Sequence, residues 1–122
     1  SNVKIEFLGE VNKSSLNKIY EKCHILVLPS KSEGFPKVIA EAGAFGCVPV
    51  VSKVGSINHY INSNNGYLLN QNIPKDIYEK LLMISRDRKT LKLKADNMFQ
   101  LSRIFSFEKY NNRIDSLILK TK

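Results

Sequence analysis

Short apolar runs alternate along this chain with segments in which apolar residues recur at every third or fourth position. The short runs are typical of buried strands, and the periodic segments are typical of amphipathic helices. The short runs predict four strands: Val3–Leu8, His24–Leu28, Val48–Val51 and Gly66–Leu69. The periodic segments predict these helices: one that is capped by Ser14 or Ser15 and runs to about Lys22, Pro36–Phe45, a turn at Ile57–Ile61, Pro74 to about Ser85, Lys89–Ser102 and Phe107–Lys120. Because strands and helices alternate, we expect one α/β domain with a parallel sheet flanked by helices.

The most informative segment joins the second predicted strand to the next helix and strand, and from Pro29 to Val51 it is PSKSEGFPKVIAEAGAFGCVPVV. Pro36 suits the first position of a helix, and Gly46 suits its end. Glu33 would then lie on the loop and Glu41 about one turn into the helix. Open α/β sheets bind ligands at the carboxyl ends of their strands, where free backbone N–H groups attract anions. The segment therefore predicts a site for a ligand that carries both phosphate and hydroxyl groups.

This segment resembles the E-x7-E signature of the retaining glycosyltransferases of family GT4, which have the two-domain GT-B fold. The family pattern is roughly P-S-x-x-E-G-F-P-x-x-x-x-E-A-x-A-x-G-x-P-V-V, and the chain matches nearly every fixed position. Gly43 is a departure, since the family usually has Met or another apolar residue there. The resemblance extends over about residues 3–110. It implies that the chain, residues 1–122, is a single Rossmann-like domain that forms part of the C-terminal, donor-binding domain of such an enzyme.

The resemblance also implies roles for individual residues. Glu41 would accept hydrogen bonds from the ribose hydroxyls of a nucleoside-diphosphate sugar, and Glu33 would contact the donor sugar as the candidate catalytic residue. Four residues of the loop and helix would present backbone N–H groups to the sugar and the diphosphate: Gly34, Phe35, Lys37 and Val38. The loop from Gly9 to Val11 corresponds to one that packs against the nucleobase.

The implied reaction is transfer of a sugar with its anomeric configuration unchanged. In the favoured picture for the family, the acceptor attacks from the face that the diphosphate leaves, and the diphosphate helps to take the acceptor's proton. Glu33 would position the donor and stabilise charge near the anomeric carbon; a role as covalent nucleophile is the less favoured alternative. The nucleoside-diphosphate sugar is a substrate, and neither a cofactor nor a metal ion is expected. Surface-glycan synthesis is an expectation by analogy.

The resemblance covers only the latter part of a typical donor domain. We therefore expect that the acceptor-binding N-terminal domain and the first two donor-domain strands are missing from this chain. The acceptor, a saccharide or a lipid-linked glycan, would bind through that missing domain, and the chain alone would have low or no activity. The strand at Val3–Leu8 would either pair directly with His24–Leu28 or leave an exposed sheet edge that a second copy of the chain fills. Residues 107–122 are predicted to form a C-terminal helix.

The net charge of +8 is concentrated in the second half of the chain. Residues 62–122 hold twelve Lys and Arg against six acidic residues, and residues 1–61 hold seven Lys against five. Two interpretations of the basic half stay open: attraction to an anionic membrane surface, or a solvated helix face. Nucleic-acid binding is not expected, because no recognition motif is present and no aromatic residues are interleaved with the basic cluster. The expected location is the cytoplasm, with peripheral association at the inner face of the membrane as an option.

The histidines and cysteines are weaker candidates for chemistry. His59 falls where the family usually has glutamate, so it is either a variant contact or a surface residue. His24 is expected to be structural. Cys23 and Cys47 are interpreted as buried apolar residues, without metal-ligand spacing and without a disulfide.

Two alternatives to an active transferase remain at this stage. One is a binding module that recognises a nucleotide sugar without catalysing transfer. The other is a different doubly wound nucleotide-binding domain, such as a receiver or a flavin-binding protein. Binding of nucleoside-diphosphate sugars, and its dependence on Glu33 and Glu41, would distinguish these hypotheses.

Overall fold

A computed structural model describes the backbone of residues 5–29, 37–55, 57–71 and 73–121, with side chains described as far as residue 104. The described strands are β1 (Ile25–Leu28), β2 (Val48–Ser52) and β3 (Tyr67–Leu69). The described helices are α1 (Lys13–Lys22), α2 (Lys37–Gly43), α3 (Ile57–Tyr60), α4 (Pro74–Arg86) and α5 (Arg88–Thr121). The alternation of helices and strands is as the sequence predicts.

The three strands form one parallel sheet in the order β1-β2-β3. Val50 of β2 lies beside Val27 of β1 and Tyr67 of β3, so β2 is the central strand. All five residues of β2 are buried, as expected of a parallel strand that is covered on both faces. This arrangement confirms the predicted parallel α/β fold.

Two apolar clusters cover the two faces of the sheet. On one face, Val48 and Val50 pack with residues of β3, α4 and the start of α5. On the other face, Val51 packs with Ile39 of α2 and Met98 of α5, together with the α3 region. Helix α5 therefore contributes to both sides of the core.

The predicted strand at Val3–Leu8 is wrong over the residues that the structure describes. Residues 5–8 lie outside any strand, and the Phe7 side chain is 96% exposed. The remainder of that prediction, residues 3 and 4, lies outside the described residues. An alternating apolar pattern specifies a strand only where a neighbouring strand supplies hydrogen bonds and a surface to pack on. Residues 5–8 do not pair with β1, so the expectation of direct pairing with His24–Leu28 is also wrong for them.

The C-terminal region is one continuous helix, whereas the sequence pattern predicts two. Helix α5 runs from Arg88 to Thr121, so residues 107–121 continue it and do not form a separate helix. The residues between the two predicted helices include neither glycine nor proline, and nothing local interrupts the backbone hydrogen bonds. The break with α4 is sharp because Asp87 caps α5: its carboxylate accepts hydrogen bonds from the Thr90 N–H at 3.0 Å and the Thr90 hydroxyl at 2.6 Å.

The start of α1 and the end of α2 have clear local causes. Helix α1 is capped by Asn12, whose side-chain oxygen accepts from the Ser15 N–H at 2.8 Å. The predicted cap at Ser14 or Ser15 is therefore wrong by two to three positions. Beyond α2, Gly46 has a φ of +84°. Hydrogen bonds run from the Gly46 N–H to the Gly43 carbonyl at 2.9 Å and from the Cys47 N–H to the Ala42 carbonyl at 3.1 Å. This is a Schellman ending, which favours glycine.

The turn between α3 and β3 is held by helix α5. The Lys94 ammonium donates to the Gly66 carbonyl at 2.9 Å and lies 3.5 Å from the centre of the Tyr67 ring. One turn further along α5, the Asn97 side-chain amide donates to the Asn64 carbonyl at 2.8 Å. Burial, followed by the nearby Lys80 charge, lowers the pKa of Lys94. A cation from α5 thus fixes the entry into β3 through contacts far apart in the sequence.

Cys47 is a buried thiol at the amino end of the sheet, as the sequence predicts. Its Sγ lies 3.3 Å from the Tyr20 carbonyl oxygen and 3.4 Å from the Cys23 carbonyl oxygen, to which the S–H donates. Burial, with a smaller effect of Cys23, raises the pKa of Cys47 from 9.0 to about 11. Cys23 differs from the prediction because it is exposed. Both cysteines are free, as expected.

The buried Cys47 thiol should make the protein less stable at high pH. Because its pKa is higher in the folded state than in the unfolded state, its stabilising contribution is complete below pH 9 and declines between pH 9 and 11. We expect the free energy of unfolding to fall by about 1–2 kcal/mol over that interval from this thiol alone. The measurement is urea unfolding at several pH values for the parent chain and for Cys47→Ala. Equal declines in both proteins would contradict the prediction; a shallower decline in Cys47→Ala would support it.

Candidate functional site

The candidate site lies at the carboxyl edge of the parallel sheet, between β1 and α2. Strand β1 ends at Leu28, and α2 begins at Lys37. The predicted site residues Glu33, Gly34 and Phe35 fall between these elements and lie outside the described residues. Their roles therefore stay predictions. Three predicted site residues, Lys37, Val38 and Glu41, lie together on α2.

Helix α2 divides its residues between the core and the site. Val38 is half-buried and packs against the cluster that contains Ile39 and Val51. Lys37 is exposed and Glu41 is half-buried. Because residues four apart share one face of a helix, Lys37 and Glu41 lie on the same side of α2. That face combines a cation and a carboxylate on a short helix whose other side is anchored in the core.

Tyr20 is the neighbour of Glu41 that the sequence analysis missed. It is 6% exposed and packs with Ala42 of α2 and Cys47, while its ring lies 6.1 Å from that of Phe45. Burial is the main cause that raises the pKa of Tyr20, and the Glu41 charge is the second. The sequence places Tyr20 on the apolar face of α1, but it gives no sign that this face meets α2. Helix α1 thus packs Tyr20 against Ala42, the residue that follows Glu41 on α2.

The segment predicted to contact the nucleobase precedes α1. Gly9 and Val11 are both exposed, and Gly9 has a φ of +64° with open space around the position of a Cβ atom. The described hydrogen bonds do not join either residue to α2. The structure therefore groups Lys37, Val38 and Glu41, while the part played by Gly9 and Val11 stays a prediction.

His59 is exposed on α3, and its ring meets the Tyr60 ring edge-on with centroids 6.5 Å apart. Gly55, which precedes α3, has a φ of +46°, a backbone conformation that favours glycine. His59 is thus on the surface of the described structure.

Helix α5 approaches α2 very closely at Gly43. A Cβ atom built on Gly43 would lie 2.6 Å from the Ser102 hydroxyl oxygen and 2.8 Å from Cγ of Met98. Met98 is fully buried and Ser102 is 2% exposed. Packing thus gives a reason for the departure from the family pattern at Gly43, because a larger side chain would collide with α5.

Within the described residues, no three His, Cys, Asp or Glu side chains are grouped so that they could hold a metal ion. In the same part of the chain, none of the helices is both long enough and apolar enough to cross a bilayer.

Comparison with known protein sequences identifies the same type of protein. The family described as "Glycosyl transferases group 1" matches residues 1–99. An uncharacterized glycosyltransferase of Methanocaldococcus jannaschii is 34% identical over 106 residues, which cover 86% of this chain and 30% of that protein. The N,N'-diacetylbacillosaminyl-diphospho-undecaprenol alpha-1,3-N-acetylgalactosaminyltransferase of Campylobacter jejuni is 34% identical over 70% of this chain and 22% of its own length. The chain thus spans less than one third of these relatives.

Solved structures agree with the sequence comparison. The C-terminal domain of a group 1 glycosyl transferase from Francisella tularensis is 30% identical, with a TM-score of 0.67, over 82% of this chain and 51% of that structure. Sucrose-phosphate synthase from Thermosynechococcus elongatus aligns with 96% of this chain and 31% of its own chain, with a TM-score of 0.78 and 19% identity, which supports the fold alone. The fold, the E-x7-E segment and the matched family agree: this chain belongs to the group 1 glycosyltransferases and has the Rossmann-like fold of a GT-B glycosyltransferase domain.

Proposed function

We propose that this chain is the nucleotide-sugar-binding part of a retaining glycosyltransferase of family GT4. The observation that carries the proposal is the position of Glu41. Glu41 is half-buried on α2, the helix that follows the carboxyl end of β1, within a segment that matches the E-x7-E pattern. A carboxylate at this edge can accept hydrogen bonds from two neighbouring hydroxyls, as the ribose of a nucleotide presents them.

The other residues would complete a donor site around Glu41. Lys37 shares the face of α2 that carries Glu41 and would add a positive charge beside the diphosphate, as well as its backbone N–H. Glu33, Gly34 and Phe35 would bind the donor sugar, with Val38 contributing a backbone N–H. Gly9 and Val11 would lie against the nucleobase. No cofactor or metal is required in this proposal, because the protein's N–H groups and cations would offset the diphosphate charge.

The reaction would proceed mainly through positioning and charge stabilisation. The bond between the anomeric carbon and the diphosphate oxygen breaks while an acceptor oxygen forms a bond to the same carbon from the same face. The leaving diphosphate takes the acceptor's proton. Glu33 would hold the sugar and stabilise positive charge near the anomeric carbon, and Glu41 would hold the ribose at a fixed distance from it.

The acceptor would be a saccharide or a lipid-linked glycan, bound by a part of the enzyme outside this chain. The Campylobacter jejuni relative is named for a diphospho-undecaprenol substrate, which supports a lipid-linked acceptor. The basic second half of the chain would favour an anionic membrane surface, where such an acceptor lies. We therefore place the proposed enzyme in surface-glycan synthesis at the inner face of the membrane.

Calorimetric titration of the complete polypeptide with a panel of nucleoside-diphosphate sugars tests the proposed binding. We expect at least one member of the panel to bind with a dissociation constant in the micromolar range. Proton NMR of the transferred or hydrolysed sugar should show that its anomeric configuration is retained. A folded polypeptide that binds none of the panel would contradict the proposal. Binding without turnover on any acceptor would favour the non-catalytic module, and inversion would exclude the GT4 assignment.

A further inference from the structure

Gly43 occupies a helical position where glycine is not favoured by local propensity. It is the last residue of α2, and its backbone φ is not in the left-handed region. Alanine is the better helix former at such a position. The reason for glycine must therefore come from packing, and the neighbouring helix α5 supplies it.

The contact between α2 and α5 leaves no room for a side chain at position 43. Three atoms of α5 lie within 3 Å of a Cβ atom at that position: Ser102 Oγ at 2.6 Å, Met98 Cγ at 2.8 Å and Met98 Cε at 2.9 Å. Real Cβ atoms essentially never make contacts this short. An alanine at position 43 would therefore push α2 and α5 apart, or displace both α5 side chains.

The α5 side of this contact consists of the side chains of Met98 and Ser102, both of which are buried. Met98 is fully buried in the cluster that also contains Ile39 of α2. Ser102 is 2% exposed, and its hydroxyl oxygen has no hydrogen-bond partner. A buried hydroxyl without a partner carries a desolvation cost, and the close packing around Ser102 limits where it can move. Because both α5 side chains are enclosed by the core, part of any displacement would pass to the short helix α2.

Glu41 lies two residues before Gly43 on the same seven-residue helix. A helix of this length moves as a unit, because its backbone hydrogen bonds join its residues directly. Hydrogen bonds weaken steeply when donor and acceptor are displaced by fractions of an ångström from their best geometry. A displacement of α2 at Gly43 would therefore also displace the Glu41 carboxylate.

We propose that Gly43 is a positioning residue for nucleotide binding: its contact with Met98 and Ser102 sets the distance between α2 and α5 and so places the Glu41 carboxylate against the ribose. This inference rests on the proposed function, since it concerns the same donor site. According to this inference, helix α5 contributes to recognition of the nucleotide, although it is distant in sequence from the E-x7-E segment.

Nucleotide binding by the complete polypeptide tests the inference. Gly43→Ala should weaken the binding of the nucleoside diphosphate about tenfold, and it should reduce the preference for this ligand over its 2′-deoxy counterpart. In a Glu41→Gln background, the same substitution should have less than a twofold effect, because the carboxylate it displaces is no longer present. Non-additivity of this kind marks residues that act through one another.

Two further variants separate positioning from loss of folding. Ser102→Thr adds one methyl group on the α5 side and should weaken binding severalfold, which keeps the inference testable if Gly43→Ala does not fold. Ser102→Ala added to Gly43→Ala removes the hydroxyl that lies 2.6 Å from the new methyl group and should restore part of the affinity. The control is Ser85→Thr, which adds the same methyl group at an exposed position of α4 and should leave binding unchanged.

The outcomes for the inference and for the proposed function differ. Unchanged affinity in folded Gly43→Ala and Ser102→Thr, with weaker binding in Glu41→Gln, would overturn the inference alone. An equal effect of Gly43→Ala on nucleotide affinity with and without the Glu41 carboxylate would also overturn the inference alone. Absence of nucleotide binding in the unmodified polypeptide, or its independence of Glu41, would overturn the proposed function.

Discussion

Glu41→Gln is expected to weaken nucleoside-diphosphate binding by the complete polypeptide about 10- to 100-fold. The physical reason is the loss of charge-assisted hydrogen bonds to the ribose hydroxyls, which contribute about 1.5–3 kcal/mol, and each 1.4 kcal/mol corresponds to a factor of ten in affinity. Glutamine keeps the size of the side chain, so the half-buried position of residue 41 and the fold should be preserved. Calorimetric titration gives the dissociation constants directly.

The control for charge is Glu79→Gln. Glu79 is exposed on α4, away from α2, and its replacement changes the net charge by the same amount. We expect this variant to bind as the parent does. A nucleoside diphosphate lacking both ribose hydroxyls should bind the parent and Glu41→Gln with similar affinity, because the interaction removed is the one to those hydroxyls. Equal losses in Glu41→Gln for ligands with and without the hydroxyls would show that Glu41 does not bind the ribose.

Gly66→Ala is expected to destabilise the protein by about 2–3 kcal/mol. Forcing an additional methyl group into a packed site typically costs about 1–3 kcal/mol, and the cost is high here because one of the atoms in the way belongs to the backbone. A Cβ atom on Gly66 would lie 2.7 Å from Cγ2 of Ile61 and 3.0 Å from the carbonyl oxygen of Pro49 in the central strand. The Gly66 carbonyl also accepts from Lys94, which ties the same position to α5. Chemical denaturation of the parent and the variant measures the difference.

Ser63→Ala is the matched control for this prediction. Ser63 lies in the same turn but is exposed, so its replacement should change the free energy of unfolding by less than about 0.5 kcal/mol. If Gly66→Ala proved as stable as Ser63→Ala, the turn would have to be able to move away from β2, contrary to the close contacts described above.

The sequence was informative wherever a local signal agreed with long-range packing. The apolar runs at β1, β2 and β3 form the parallel sheet, and the predicted glycine end of α2 is a Schellman motif at Gly46. The predicted strand at Val3–Leu8 has an equally good local pattern, yet residues 5–8 are exposed and lie outside any strand. A strand depends on its neighbours for hydrogen bonds, so its own pattern is not sufficient. The prediction of two helices in place of α5 was wrong for a related reason. A weakened apolar period does not end a helix where neither glycine nor proline interrupts it.

By itself, the sequence determined the parallel α/β class, the order of the elements from α1 to α4, and the E-x7-E segment that identifies the family. These features follow from local periodicity, turn residues and fixed spacings along the chain. Only the tertiary structure decided which helices support the candidate site: α1 packs Tyr20 against Ala42 of α2, and α5 packs on Gly43 from 55 to 59 positions further along the chain. Such contacts depend on where helices cross, and helix crossings are set by the packing of the whole core and not by any local pattern.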